Sequence, residues 1–294
     1  MNDSNKLPSR RQSAGWRQTI LWTSFFVGLV LAVFASATSV RIMDGCSQKV
    51  IIAVQIIIQD LLAFILPAYI ASRYASSEPV RFMRLNNSPK CGAVVLSILL
   101  VIVAAPFLNM VVAWNESLSL PQSLSGLEQW LKATEEAANA TSQILLDGNS
   151  LIAMLGCILL VGLLTGLSEE MFFRGTLQRI LETSLMRQHV AIWTAAIIFS
   201  LLHFQFYGFL PRLLLGALFG YLTVWSGTVW TAVIAHAVNN SIVVVTLWLS
   251  ENRLLTLDIN RIGVPENNEF PFLAILSLAL VVLIIGRRKW FLST

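Results

Sequence analysis

The sequence predicts an all-α polytopic membrane protein, with about eight transmembrane helices and one extracytoplasmic amphipathic helix. Three observations predict it. The 294 residues are 56% hydrophobic and only 12% charged, and the mean hydropathy is +0.71. Several separate apolar runs each reach the roughly 20 residues that a bilayer crossing takes. Such runs must be helices, because unpaired backbone groups cannot face lipid. The basic residues gather in alternate polar segments, as cytoplasmic segments of polytopic proteins do.

Residues 1–18 are polar and basic, with Lys6, Arg10, Arg11 and Arg17. The first span covers Thr19–Phe34 and continues to Val40. Ala35-Ser36-Ala37 has the small residues of a signal-peptide cleavage site, but the apolar run passes beyond it, so the helix reads as uncleaved. The second span, about Val50–Ala71, holds Gln55, Gln59 and Asp60. Its glutamines, one turn apart, are expected to face the bundle interior, with Asp60 in a structural role. The third is roughly Gly92–Trp114.

Residues 115–149 are the one long polar segment, and they are rich in acid: Glu116, Glu128, Glu135, Glu136 and Asp147 against Lys132. Ser125-Gly126-Leu127-Glu128 fits a capping box, and Leu127, Trp130, Leu131 and Ala138 recur at helical spacing. The expectation is an amphipathic helix on the membrane surface, shielding the mouth of the bundle. Further spans follow at Leu151–Phe173, Val190–Phe206, Leu210–Trp225, Thr228–Trp248 and Phe270–Gly286. Arg287-Arg288-Lys289 ends the last. Eight spans with both termini in the cytoplasm put the basic N-terminus, 72–91, 174–187 and the C-terminal cluster on one side. A bacterial inner (cell) membrane suits a short chain of this kind.

Other classes are disfavoured. The net charge of +4 is scattered over loops with no aromatic-basic pattern, so it reads as topology and not as nucleic-acid affinity. Cys46, Cys91 and Cys157 lack C-x-x-C spacing, which argues against a disulfide framework or zinc knuckle. A transporter built from repeated halves would show an internal repeat, and none is visible.

Ionisable groups at membrane depth are costly and mark function. Ser168-Glu169-Glu170-Met171-Phe172-Phe173-Arg174 follows the uncharged run Leu151–Leu167. On a helix Glu170 and Arg174 share a face and can pair. Glu169, turned about 100° away, keeps its carboxylate for other work and reads as a general base of a membrane hydrolase. The bland alternative is a charged helix end at the water interface. His189 lies at a helix boundary, whereas His203 and His236 lie inside apolar spans. Phe199 sits one turn before His203 and can pack beneath it, and His236 and Asn240 share a face. Glu, His, His and Asn from three helices could activate water and hold an oxyanion.

Glu169-Glu170-x-x-x-Arg174, Phe199-x-x-x-His203 and His236-x-x-x-Asn240 resemble, in order, the three motifs of the CPBP (CAAX protease and bacteriocin-processing, or Abi) family. That family includes type II CAAX prenyl endopeptidases. The resemblance covers about residues 150–245. It implies a catalytic core at 150–250, between a three-span region with its surface helix at 1–149 and an outer loop and last helix at 251–294. It implies that Glu169 activates water with help from His236, that His203 and Asn240 hold the oxyanion, and that Glu170, Arg174 and Phe199 support them. The partner it implies is a peptide or protein substrate reached from the membrane or cytoplasm. A non-catalytic immunity or scaffold protein of the same family is the alternative. A water activated by glutamate and histidine without a tightly bound metal fits the family better than a metal centre. Zinc is the one candidate, with Glu169, His203 and His236 as its ligands, although the sequence lacks H-E-x-x-H. One point of geometry stays open. At about 1.5 Å per residue, His236 lies roughly 12 Å into its span and His203 roughly 20 Å, unless tilt or a break levels them.

Overall fold

The computed structural model describes residues 13–146, 148, 150–185, 187–255, 258–265 and 270–293. Lys6, Arg10, Arg11 and Asp147 lie outside the described residues. Among the described residues the main elements, besides a one-turn helix at Pro79–Phe82 and short 3₁₀ turns, are ten helices: α1 (Ala14–Ile42), α2 (Gln48–Ala75), α3 (Cys91–Glu116), α4 (Ser125–Leu146), α5 (Leu151–Ser184), α6 (Gln188–Leu201), α7 (Phe209–Ser226), α8 (Trp230–Glu251), α9 (Phe272–Gly286) and α10 (Arg288–Ser293). Six are long and apolar enough to cross a membrane: α1, α2, α3, α5, α8, and α7 together with the 3₁₀ turn before it. The other two anticipated spans, α6 and α9, have 14 and 15 residues.

α6 stops at Leu201, short of the expected Phe206, for a visible reason. Ser200 Oγ donates to the Phe209 carbonyl at 2.6 Å, folding the chain back. Asn115 at the end of α3 fastens the turn: its amide donates to the Phe206 carbonyl (3.0 Å) and its Oδ1 accepts from Leu210 N–H (3.1 Å). His203 therefore lies in the turn beyond α6. That break answers the mismatch in depth, since His203 and His236 both come against the ring of Phe199.

α2 and α5 are not uniform α-helices. α2 widens into a π turn at Asp60–Ile65. Pro67, two residues on, has no N–H for the Ala63 carbonyl and crowds it with its ring, which opens the helix. The inward residues of α2 here are Ile52, Asp60, Ala63 and Phe64. Gln59 is exposed and Gln55 only half-buried, so the expected inward glutamine stripe is corrected to Asp60 and its apolar neighbours. α1 crosses α2 at Gly28, where a β-carbon would overlap the Leu62 carbonyl oxygen of the π turn. α5 carries two π turns, Ile158–Leu164 and Met171–Leu177, on either side of an α-helical Thr165–Glu170. In α3, Pro106 breaks the ladder, and Ser277 of α9 fills the gap. Its hydroxyl donates to the Val103 carbonyl at 2.5 Å and accepts from Phe107 N–H at 3.3 Å.

α4 is helical as expected, but its start differs. Ser125 is already helical, with φ −55 and ψ −38, after a 3₁₀ turn at Gln122–Leu124, so it does not cap. Glu128 instead pairs with Lys132 at 2.9 Å. Leu145 packs with Ile52, Met154, Cys157 and Val244, which sets the end of α4 against α2, α5 and α8. Nearer its middle, Glu135 accepts from Gln205 Nε2 (3.2 Å) in the turn after His203. Leu127 and Trp130 stay exposed. α4 thus roofs the end of the bundle that holds the α6–α7 turn.

Burial pushes the Glu135 carboxyl above the ordinary carboxylate range, against the pull of Arg212. The folded chain therefore holds that proton more tightly than the unfolded chain. Its contribution is complete below the ordinary carboxylate pKa and is lost as pH rises through the raised value. Glu135→Gln in detergent should accordingly raise Tm at neutral pH and match wild type in the ordinary carboxylate range. A gap that grows on acidification would contradict this.

Candidate active site

The site is built on the α-helical turn between the two π turns of α5. Successive residues on a helix point about 100° apart, which separates the two adjacent glutamates. Glu170 is 0% exposed, and its Oε1 accepts from two donors: Arg174 Nη1 at 2.7 Å and His236 Nδ1 at 2.8 Å. Arg174 also donates through Nη2 to the Gly216 carbonyl of α7 at 2.9 Å. Its guanidinium lies over the rings of Phe199 (4.6 Å), Phe219 (5.5 Å) and Phe173 (5.8 Å). Such contacts strengthen when the cation is desolvated.

Glu169 is 8% exposed, and its Oε2 has no hydrogen-bond partner among the described residues. It faces His236 Nε2 at 3.8 Å. The His236 ring stacks on Phe219 (5.2 Å, 27°) and meets Phe199 edge-on. A carboxylate only accepts, so His236 Nδ1 carries the proton shared with Glu170, and Nε2 faces Glu169. Glu170 thus orients the imidazole as the acid of a catalytic triad orients its histidine.

His203 Nδ1 donates to the Phe199 carbonyl at 2.8 Å, and its ring packs on Phe199 at 4.9 Å. Its Nε2 can donate only when the imidazole is doubly protonated. Asn240 donates one amide hydrogen to the Val161 carbonyl in the π turn (3.0 Å), and its Oδ1 accepts from Asn239 (3.3 Å). Glu169, Glu170, Arg174 and His236 therefore form one directly linked cluster. His203 joins it through the Phe199 ring and Asn240 through the backbone of α5. His189 pairs with Tyr221 at 2.8 Å and is exposed, outside the site.

Two residues matter here that the motifs do not include. Asp60, buried on α2, accepts from Ser168 Oγ and Thr165 Oγ1, both at 2.9 Å, and so clamps the turn that ends in Glu169. Arg212 on α7 holds Gln205 in the turn after His203. The signal for it was available, because it is a lone cation within the apolar run Leu210–Trp225.

The residues do not fit a zinc centre. Among the described residues no three His, Cys, Asp or Glu side chains gather around one point as metal ligands. Glu169, His203 and His236 are not so gathered. Structural and catalytic zinc sites take at least three protein ligands.

Residues 151–242, less than half of the chain, match the family model for type II CAAX prenyl endopeptidase Rce1-like proteins. All seven motif residues fall within that stretch. An uncharacterized protein of Bacillus subtilis (strain 168), YpbD, is 30% identical over 89 residues, which are 29% of this chain and 42% of YpbD. The chain thus spans less than half the length of that relative. No solved structure matches the chain.

Removing Arg174 would leave Glu170 buried with only His236 to balance it. Breaking a buried pair in this way costs about 3–5 kcal/mol. Arg174→Ala should therefore unfold at markedly lower denaturant than wild type in detergent, and a stability within about 0.5 kcal/mol of wild type would contradict the pairing.

Proposed function

With the match to Rce1-like proteins as premise, we propose that the chain is an intramembrane endopeptidase that hydrolyses a peptide bond with a water activated by Glu169 and His236. The observation that supports this best is the unsatisfied, buried Oε2 of Glu169 facing Nε2 of His236. A carboxylate oxygen kept from water without a hydrogen bond is expensive and does nothing for stability. Beside an oriented imidazole it is instead a place for a water to lose a proton.

In this reading Glu169 Oε2 takes a proton from the water as its oxygen attacks the scissile carbonyl carbon. The carbonyl electrons move onto oxygen, which accepts hydrogen bonds from the second amide hydrogen of Asn240 and from His203 once its ring leaves the Phe199 carbonyl and turns an N–H towards it. Collapse of the tetrahedral intermediate breaks the C–N bond, and the proton on Glu169 passes to the departing amine. Glu170 and Arg174 hold His236 and touch no reacting atom. Asp60 fixes the turn of α5 from which Glu169 projects. The substrate is a peptide or protein segment reached from the membrane or the cytoplasm.

The wider arrangement belongs to the same proposal. The two short apolar helices α6 and α9 complete eight membrane segments, and both termini face the cytoplasm of a bacterial cell. α4 lies on the outer surface.

Glu169→Gln keeps the shape of the side chain and removes the base. Loss of general-base catalysis costs about 10²–10⁴-fold in rate. Membranes carrying wild-type or Glu169→Gln protein, compared by mass spectrometry of new peptide termini, should differ by products found only with wild type. Full retention of those products by Glu169→Gln would end the proposal.

A further inference from the structure

An apolar groove beside α7 has no role in the scheme above. Its volume is about 220 Å³, and it runs between α3, α6, α7 and α9, with Phe107, Trp193, Leu214, Tyr221, Trp225 and Ile285 among its walls. From Leu214 to Trp225 it follows α7 for about 16 Å. None of Glu169, His203, His236 and Asn240 lines it. α7 separates the two, since the Gly216 carbonyl accepts from Arg174 while its neighbour Ala217 faces the groove.

One end of the groove is basic. Arg288, the first residue of α10, lays its guanidinium over the Trp225 ring at 5.0 Å and donates from Nη1 to the Ile285 carbonyl at 2.9 Å. Both of those partners line the groove. Trp225 stacks in turn on Tyr221 (5.4 Å, 28°), which shares a hydrogen bond with His189 at the start of α6. Arg174, Arg84 and Arg179 each pair with a carboxylate, whereas Arg288 has none in ion-pair contact among the described residues. Apart from Glu116 at the far end of α3, the helices around the groove carry no Asp or Glu at all. Arg287 and Lys289 are exposed beside Arg288, and Lys90 Nζ reaches the Ser293 carbonyl of α10 (3.3 Å). Trp290 is exposed next to them, and basic residues with tryptophan at a helix end mark the membrane interface.

We propose that this groove holds one anionic phospholipid, with an acyl chain between the four helices and the phosphate on Arg288. The inference stands apart from the hydrolase reading. Charge decides the occupant: a cation with no carboxylate partner, in acid-free surroundings, is matched by an anionic headgroup. A guanidinium takes two phosphate oxygens in one plane. Basic pockets between helices on the cytoplasmic side bind anionic headgroups in this way. The Trp225 ring and the Ile285 carbonyl hold the guanidinium at the mouth and leave its other N–H groups for the phosphate. A zwitterionic lipid brings a cation of its own beside Arg288 and gains less. The groove meets the acyl chain on several sides, where a lone helix face would meet it on one, and the added contacts fix its place.

The test uses the full chain in detergent, with phosphatidylglycerol and phosphatidylcholine of matched acyl chains, and native mass spectrometry to count bound lipids. Wild type should retain one phosphatidylglycerol, in preference to phosphatidylcholine by about tenfold. Arg288→Gln should cut that preference to within about twofold. Arg287→Gln removes an equal charge one residue away, outside the groove, and should keep it. Leu278→Trp fills the groove, which Leu278 lines, and leaves Arg288 in place, so it should retain neither lipid. Glycerol phosphate, a headgroup without chains, should not displace the bound lipid. Equal retention of the two lipids, a preference that survives Arg288→Gln, or the same loss in Arg287→Gln would overturn the proposal. So would lipid kept by Leu278→Trp, or displacement by glycerol phosphate.

Discussion

The structure around the candidate site depends on one buried carboxylate oxygen. Glu170 Oε1 accepts from Arg174 and His236 at 2.7 and 2.8 Å, where no part of Glu170 is exposed. Stripping a carboxylate of water costs several kcal/mol, and only close, well-aligned partners offset it. The two donors come from α5 and α8, and Arg174 is tied through the Gly216 carbonyl to α7. The position of three helices is thereby linked to a single ion. The rings of Phe199 and Phe219 wall that ion off, and the same rings hold the two imidazoles. The two bonds to Glu170 Oε1 thus set the orientation in which His236 meets the other glutamate.

The departures from regular helix follow the same geometry. π turns recur at functional sites because they displace side chains from regular spacing. Here one begins at Asp60, and two bracket Thr165–Glu170. Asp60 then reaches Ser168 and Thr165, while the Val161 carbonyl turns to the amide of Asn240. The break after α6 brings His203 beside Phe199, and Asn115 satisfies the backbone groups that the break exposes. The π turn at Ile158–Leu164, the Pro106 gap in α3 and the break after α6 each have backbone groups met by a side chain from a neighbouring helix, which apolar surroundings require.

Interactions local to one helix were legible in the sequence. The Glu170–Arg174 pair follows from i, i+4 spacing alone, and Phe199 beneath His203 from the same rule. The apolar runs mark six helices long enough to cross a bilayer. What sequence could not show is set by contacts between helices. Ser125 looked like a cap, but the chain arrives already coiled in a 3₁₀ turn. Gln55 and Gln59 looked inward, but the helix turns Asp60 to the core instead. The sharing of Glu170 between Arg174 and His236 joins residues 66 apart in sequence, and nothing local encodes it. Arg212 was within reach of the intramembrane-charge criterion that found Glu169, and only its Gln205 partner needed the structure.

The central claim is that Glu170 and His236 act as one unit in the protein interior. A double-mutant cycle on stability tests it most directly, with Glu170→Gln, His236→Asn and the double variant unfolded in the same detergent. Residues in one hydrogen-bonded network couple by about 0.5–3 kcal/mol. The account predicts a coupling above about 1 kcal/mol, with the double variant less destabilised than the sum of the singles. Additivity within about 0.3 kcal/mol would contradict it.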